Sequence, residues 1–297
     1  MTSKIKSSLT FDFEDEKFKA PPSQVLPWCH MINPQREAGK GANNFGLAIK
    51  QDNANAVGFV PDENWQLVEH QFSTGEVETI FITTSPRLVL VRRGAVYLKY
   101  RDTGLTLGRL GDHYDTFMAD KLRFKTFTRH LIFFLGQDKK LLHSSPLRLS
   151  LSGAAGASFG KAYVDYKAGQ ATNGFTVELE KAYADYCGKR YAPKGPLFHA
   201  HGIFCPRLEA REAGMGLNTA VVAATVDYEH PTGVNFPEYA IASNSEESAI
   251  ICQTFEEHQD FDNDIPKGGN GKIPGLDAAK MYAYPGEEFE YENEPLY

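Results

Sequence analysis

The sequence predicts an α+β fold, mainly an antiparallel β-barrel with two or more helices after the barrel strands, and the OB fold is one candidate for that barrel. Three observations lead to this prediction. Short segments alternate between apolar and polar residues, glycine and aspartate turns separate them, and two later segments carry apolar residues at helical spacing. Short strands joined by tight turns are typical of antiparallel barrels and sandwiches.

The strands are predicted mainly between residues 77 and 153. β-branched and aromatic residues fill the first of them, and Asp102-Thr103-Gly104 supplies the turn of a hairpin. Alternating or continuous apolar residues define the others. The predicted strands are 77–83, 87–93, the hairpin 94–108, 121–127, 129–136 and 146–153, with further strands inside 202–211 and 217–230.

Two helices are predicted after these strands, because apolar residues recur there every three or four positions. Helices that follow a run of strands place the chain in the α+β class. The repeating residues are Phe159, Ala162, Tyr163 and Tyr166 in 158–168, and Val177, Leu179, Ala182, Tyr183 and Tyr186 in 176–191.

The chain divides into three predicted parts. Residues 1–20 form a flexible N-terminal arm, because they are polar and precede a double proline. Residues 21–255 form a β-rich globular body of one domain, or of two subdomains. Residues 256–297 are a Gly/Pro linker and an acidic C-terminal tail. The composition changes near residue 250, after which too little apolar surface remains to repay the chain entropy lost on folding.

Composition argues against a membrane or secreted protein. The chain is 42% hydrophobic and 23% charged, which is ordinary for a soluble domain. No apolar run approaches the roughly 20 residues that a membrane span needs, and no secretory signal opens the sequence. The four cysteines are scattered and form no CxxC pair, so we predict a reduced, cytoplasmic setting.

Charge is distributed unevenly along the chain. The net charge is −7, but residues 87–150 hold 13 basic and 5 acidic side chains, whereas residues 251–297 hold 3 basic and 11 acidic ones. A basic centre followed by an acidic end indicates a polyanionic partner.

Strand alternation sorts the basic residues onto faces. In 96–101, Lys99 and Arg101 share a face with Tyr97, and in 121–125 the three basic residues lie opposite two apolar ones. None of these faces holds a carboxylate. The alternative is a merely solvated sheet face with lysines that guard its edge. The predicted nucleic-acid-binding residues are Arg92, Arg93, Tyr97, Lys99, Arg101, Lys121, Arg123, Lys125 and Arg148, with Tyr114 and Phe127 as further stacking candidates.

Cations beside an aromatic ring favour a single-stranded nucleic acid. The cations neutralise phosphates and release counterions, while a base stacks on the ring for about 1–3 kcal/mol. We therefore expect a protein that binds single-stranded DNA, with no cofactor, and we favour a binding role over an enzymatic one while the enzyme alternative stays open. RNA as the ligand and a homo-oligomeric state stay open.

The last residues of the chain, Glu287, Glu288, Glu290, Glu292 and Glu294 followed by Pro295, Leu296 and Tyr297, resemble the C-terminal tails of bacterial and phage single-stranded DNA-binding proteins. Those tails are acidic and end on an aromatic residue, more often phenylalanine than the tyrosine found here. The segment 261–266 looks like an internal version of the same pattern. The resemblance implies that the tail competes with nucleic acid for the basic groove and recruits replication or recombination proteins.

The body carries a second resemblance. The segments 26–34 and 129–163 resemble a cyanobacterial family of unassigned function. This resemblance implies no activity.

One pattern suggests an enzyme instead. Residues 156–160, GASFG, fit the G-x-S-x-G of a nucleophile elbow, with Ser158 as a serine hydrolase's nucleophile. Candidate partners are His199, His201, His230 and His258 as bases, and Asp165, Asp185 and Asp227 as orienting groups. The alternative is that Ser158 caps a helix and that the small residues let this helix pack closely on the sheet. A third possibility is a phage or plasmid assembly protein.

Residues 198–205 suggest a weak metal site. On one strand, His199, His201 and Cys205 would share a face, and zinc accepts all three. A fourth ligand is absent nearby, so satisfied or exposed histidines are the simpler reading and we predict no metal.

Overall fold

The structure is a computed structural model that describes residues 26–34, 44–72, 75–167, 170–213 and 219–262. The predicted arm at 1–20 and the tail beyond residue 262 lie outside these ranges. None of the helices described is long and apolar enough to cross a membrane.

Nine strands form the main sheet within this part of the chain. Its order is β3-β4-β2-β1-β9-β8-β6-β7, and β5 pairs with β8 beside β6. The strands are β1 (Trp28–Ile32), β2 (Gly46–Lys50), β3 (Gln66–Gln71), β4 (Val77–Thr83), β5 (Leu88–Arg93), β6 (Tyr97–Tyr100), β7 (Thr106–Arg109), β8 (Phe124–Phe134) and β9 (Leu147–Ser152).

The remaining elements are helices and two small antiparallel sheets, β10 with β11 and β12 with β13. Short 3-10 turns also occur at Leu110–His113 and Phe236–Tyr239. The helices are α1 (Gln51–Val57), α2 (Tyr114–Ala119), α3 (Gly153–Tyr163), α4 (Phe175–Tyr186), α5 (Pro196–His199) and α6 (Glu246–Glu257), and the additional strands are β10 (Asp165–Lys167), β11 (Gln170–Asn173), β12 (Pro206–Ala213) and β13 (Ala220–Tyr228).

The predicted α+β class is confirmed, but the predicted barrel is wrong. Strands β3 and β7 lie at opposite ends of the sheet order and do not pair with each other, so the sheet is open. It is also mixed, because β1 runs parallel to β9 while the other pairs are antiparallel. An open sheet can bury one face under helices and need not close on itself to form a core.

Strand β8 is the longest element of the sheet. Strand β9 occupies one of its edges, and β6 and β5 follow each other along the other edge. Between them the N–H of Gly94 still donates to the carbonyl of Arg129 at 2.8 Å. The two predicted strands 121–127 and 129–136 are therefore one strand, and residues 121–123 form a turn instead.

The core lies on one face of this sheet, which we call the inner face. Leu147, Leu149 and Leu151 alternate along β9 and are at most 1% exposed. Helices α3 and α4 contribute Phe159 and Phe175 to the same core, and the ring centroids of both lie 5.1–5.3 Å from that of Phe204. Burial of these large apolar side chains, about 1.5–3 kcal/mol for each, holds the helices on the sheet.

Two segments differ from the sequence prediction for local reasons. Helix α3 starts at Gly153, directly after β9, because that glycine adopts the left-handed φ of 58° that turns the chain into the helix. The segment near residue 250, where the composition changes, forms helix α6, which extends to Glu257 and so into the start of the predicted linker. The hydroxyl of Ser245 accepts a hydrogen bond from the N–H of Ser248, and Ile251 is fully buried. A helix cap and a single apolar stripe therefore outweigh a polar composition.

Gly46 is required where β2 pairs with β4. Its φ is +138°, and a Cβ placed there would lie 2.2 Å from the carbonyl oxygen of Thr83. We predict that Gly46→Ala lowers the free energy of unfolding by at least the roughly 1–3 kcal/mol of the strained φ, measured by urea denaturation. Gly195→Ala is the control, since nothing lies within 4 Å of its Cβ position. Equal stability of the two variants would contradict the observed β2–β4 pairing.

His230 couples the end of β13 to α4. Its Nδ1 lies 2.7 Å from Glu178 and its Nε2 lies 3.2 Å from Asp227, and the bond to Glu178 is the main reason that the pKa of His230 is raised. A raised folded-state pKa gives stability that is complete below pH of about 6.5 and lost as pH rises through the folded value. We predict that the free energy of unfolding, measured by urea denaturation, falls in this way between pH 5.5 and 8.5. The fall should disappear in His230→Gln. A pH dependence shared by the variant would refute the assignment.

Candidate nucleic-acid interface

The pairing of β6 with β8 brings two of the predicted cations together. Lys99 and Lys125 are direct cross-strand partners, so their side chains leave the same face of the sheet. This face is opposite the inner face, because Leu98 and Phe124 belong to an apolar cluster on the other side. The structure therefore places Lys99 and Lys125 side by side on one face.

The register carries this face across neighbouring strands. Arg129 pairs with Ser150 of β9, and Ser150 pairs with His30 of β1. Arg148 pairs with Trp28 in the next row, and Lys50 of β2 lies with its ammonium 5.3 Å from the Trp28 ring centroid. The cationic face is therefore defined by Lys50, Lys99, Arg109, Lys125, Arg129 and Arg148, together with Trp28 and His30.

The two central lysines are electrostatically unfavourable neighbours. Both are half-buried, and burial lowers the pKa of each. The positive charges of Lys99 and Arg101 lower the pKa of Lys125 further. No carboxylate of the described residues pairs with Lys99 or Lys125. An anion between them would relieve both the repulsion and part of the desolvation cost.

Tyr97 does not lie on the exposed surface where stacking requires it. Its side chain is fully buried, so the prediction of Tyr97 as an exposed stacking ring is wrong. Its hydroxyl donates to the carbonyl of Asp262 at 3.1 Å and accepts from Nε of Arg109 at 3.3 Å. Phe127 is also buried, beneath Lys99 and Arg129, and Tyr114 packs on the separate cluster around Leu110.

Trp28 and His30 also lie on this face, although the sequence does not single them out as site residues. Trp28 is half-buried and stacks on His30 with ring centroids 4.7 Å apart. Burial, reinforced by the charge of Lys50, lowers the pKa of His30 to about 4, so its ring is neutral at pH 7. Alternation in 28–32 was a signal for this strand. Its position beside β9 could not be read from sequence, because β1 and β9 pair in parallel over a long separation.

The other predicted cations are placed differently. The N–H of Arg101 donates to the carbonyl of Arg123 at 3.0 Å, so both stand at the open end of β6 and β8. The guanidinium of Arg123 lies 5.2 Å from the Tyr100 ring, which is directed away from the cationic face. Lys121 lies in the turn before β8, where Leu122 is 68% exposed and not buried as predicted.

Arg92 pairs with Leu131, which pairs in turn with Arg148 of the cationic face, whereas Arg93 pairs with His130 of the inner face. Both arginines line a cavity that also includes Tyr163 of α3 and Thr176 of α4. The guanidinium of Arg92 donates to the backbone carbonyl of Phe255 and lies 3.4 Å from the centroid of the Phe255 ring. The continuation of the basic track through these two arginines stays a prediction.

The described chain ends on the cationic face. After α6, Asp262 places its carboxylate 3.5 Å from the guanidinium of Arg129, with its side chain only 3% exposed. Gly94 makes this approach possible, since a Cβ there would lie 2.2 Å from Oδ2 of Asp262. An acidic residue of this chain thus already occupies part of the face.

Ser158 is not a nucleophile at an elbow. It lies in the second turn of α3, whereas an elbow serine stands at the junction of strand and helix. Its hydroxyl donates to the carbonyl of Ala155 at 3.0 Å and accepts from the N–H of Thr225 at 3.0 Å. Ser158 therefore joins α3 to β13, and both the predicted elbow geometry and the N-cap alternative are wrong.

The residues of the candidate metal site lie in three different environments. His199 bonds to Glu180 at 2.7 Å, His201 bonds to Ser248 at 2.9 Å, and Cys205 is buried with its pKa raised to about 12. They do not share a strand, because α5 ends at His199 and β12 begins after Cys205. Within the described ranges, no group of three or more possible ligands is arranged to hold a metal ion.

The predicted tail residues Glu287, Glu288, Glu290, Glu292, Glu294, Leu296 and Tyr297 lie outside the described residues. No curated protein and no solved structure matches the chain. Residues 23–273 match a family described as a domain of unknown function, DUF5895. This confirms the predicted resemblance of the body to a family without an assigned function, while a cyanobacterial origin stays a prediction. The chain belongs to the DUF5895 family, which covers its body and the start of the segment after α6.

Proposed function

We propose that the protein binds single-stranded nucleic acid, DNA in the first instance, on the cationic face. The observation that supports this most is the direct pairing of Lys99 with Lys125. Neither has a carboxylate partner among the residues described, and each loses solvation through burial. Such a pair gains more from a phosphate than two exposed lysines would, because the ligand removes an existing repulsion.

The face also offers a stacking surface. Trp28 and His30 lie on β1 in line with Arg148 and Ser150 of β9. A base can stack on an aromatic ring whatever its sequence, and a neighbouring cation holds the adjacent phosphate. Trp28 replaces Tyr97 as the expected stacking residue.

The acidic tail is proposed to regulate this face. Asp262 is bound to Arg129 where the described chain ends, and residues 263–297 contain seven acidic and three basic side chains. A tethered acidic segment competes with nucleic acid at a high effective concentration. Displacement by nucleic acid would free the tail, including Leu296 and Tyr297, to recruit replication or recombination proteins. The tail's resemblance to those of single-stranded DNA-binding proteins supports this.

Titration with fluorescent oligo(dT) tests the binding proposal. We predict saturable binding at low salt and a linear fall of log K with log salt, at about −0.7 for each phosphate neutralised. Lys99→Ala with Lys125→Ala should weaken binding at least tenfold and reduce the salt slope by 1 to 2. Fluorescence anisotropy from 20 to 300 mM salt provides the measurement.

The matched control removes two exposed lysines of the helical side, Lys181→Ala with Lys189→Ala. This control changes the net charge by the same amount as the Lys99/Lys125 double variant. It should leave the affinity for oligo(dT) within about twofold of that of the unchanged protein. Equal weakening in both double variants would show nonspecific attraction only. No binding of oligo(dT) at the lowest salt would overturn the proposed function.

Neutralising the tail tests its competition with DNA. We predict that replacing Glu287, Glu288, Glu290, Glu292 and Glu294 by glutamine tightens oligo(dT) binding several-fold at low salt, as does deletion of 285–297. Tightening should vanish at high salt, since screening removes the electrostatic part of the competition. Unchanged affinity at low salt in both variants would rule out the competing tail.

A further inference from the structure

A cavity of about 730 Å³ lies at the edge of β5 among α3, α4, α5 and α6. Its volume falls within the range of sites for small organic ligands. Much of its lining is apolar, with Leu90, Val177 and Phe255, and tyrosine rings contribute as well. The cationic face does not include these residues, so the cavity is a separate feature of the molecule.

One wall of the cavity is organised by a buried carboxylate. Glu180 is 5% exposed, and it accepts from the hydroxyl of Tyr191 at 2.9 Å and from the N–H of Lys194 at 2.8 Å. The third contact is Nε2 of His199, 2.7 Å from Oε1. A buried carboxylate with three donors is held in one orientation, and it holds the imidazole in turn.

This contact fixes how His199 meets the cavity. In the tautomer whose Nε2 donates its hydrogen to Glu180, the lone pair of the imidazole lies on Nδ1. No hydrogen-bond partner for Nδ1 occurs in the described part of the chain. His199 lines the cavity, so it presents an acceptor for a ligand that carries an N–H or O–H group.

The cavity also contains an unneutralised cation. Arg92 stacks on Phe255 and donates to its carbonyl, which carries no charge. Its Nε is buried and has no hydrogen-bond partner. No carboxylate among the residues described pairs with Arg92, and Arg93 and Lys194 line the same cavity. Arg92 therefore has no counter-charge among the residues described, and the carboxylate of Glu180 in the same lining is already occupied by its three donors.

We infer that this cavity binds a small organic anion whose carboxylate or phosphate is met by Arg92 and whose hydrogen-bond donor is accepted by Nδ1 of His199. The apolar walls and the tyrosines accommodate a flat apolar body between the two polar ends. A guanidinium suits both oxyanions, since it offers donors in a planar fork. This site goes beyond the proposed nucleic-acid function and does not depend on it.

Isothermal titration of the full chain tests the site with two anions, 6-hydroxy-2-naphthoate for the carboxylate and AMP for the phosphate. We expect at least one of them to bind with 1:1 stoichiometry, and its neutral counterpart, 2-naphthol or adenosine, to bind at least tenfold more weakly. The anion with the higher affinity identifies the class. 2-Naphthoate, which lacks the hydroxyl donor, should bind at least threefold more weakly than its hydroxylated form, and equal affinities would remove His199 from the site.

Two variants locate the binding. Arg92→Met should weaken binding of the anion at least tenfold. Arg211→Met, at an exposed arginine of β12, is the control. Since Arg92 also packs on α6, Ala171→Trp gives an independent test, because Ala171 is an exposed residue at the cavity lining and a large ring there blocks entry. Saturable binding that both variants leave unchanged, or no binding of either anion, would overturn the inference.

The two proposals fail separately. Lys99→Ala with Lys125→Ala should leave anion binding within twofold, and Ala171→Trp should leave oligo(dT) binding within twofold. Loss of anion binding in the double lysine variant would place the anion on the cationic face and would overturn the cavity site.

Discussion

The pairing of β8 along both of its edges is the constraint on which the molecule depends. Its hydrogen bonds to β9, β6 and β5 fix which side chains share each face, because a shift of one residue would exchange the two faces. Lys125 meets Lys99 for this reason, and Arg129 reaches Asp262. On the other face, the same register places His130 against Phe159 of α3, with ring centroids 5.9 Å apart.

The two sides of β8 therefore have different chemistry. The inner face is apolar, and its buried histidine is neutral at pH 7, since burial lowers the pKa of His130 to about 3. The opposite face brings like charges together on neighbouring strands, which costs folding free energy unless an anion is near. An anionic ligand for this face explains such a free-energy cost more simply than solubility does. Asp262 supplies one such charge from within the chain.

The cavity and the cationic face illustrate two ways of arranging charge. In the cavity, Glu180 is saturated by three donors, and its contact to His199 holds a ring in place. On the cationic face, Lys50 is paired with Glu78, whereas Lys99 and Lys125 have no fixed acceptor among the residues described. A fixed and enclosed arrangement favours recognition of one small molecule, whereas a broad half-buried surface favours a flexible polymer.

Period-two alternation predicted β9, which buries one side, whereas β-branched and continuous apolar residues predicted β4 and β5 and a turn signal predicted the β6–β7 hairpin. Alternation failed for Tyr97, which alternates as a polar-face residue yet is buried under the segment that contains Asp262. The sequence prediction also missed α6, because it relied on the polar composition and not on the serine cap at Ser245. In GASFG, the spacing of small residues was a packing feature of α3.

The sequence by itself determined the α+β class, most strand positions, and the separation of a basic centre from an acidic end. Those properties are local, because side-chain periodicity and charge are written in neighbouring residues. Only the tertiary structure decided that the sheet stays open, that β1 joins β9 in parallel, and that Glu180 meets His199 beside Arg92. These depend on contacts between distant segments, whose free energy comes from burial and pairing that no single segment contains.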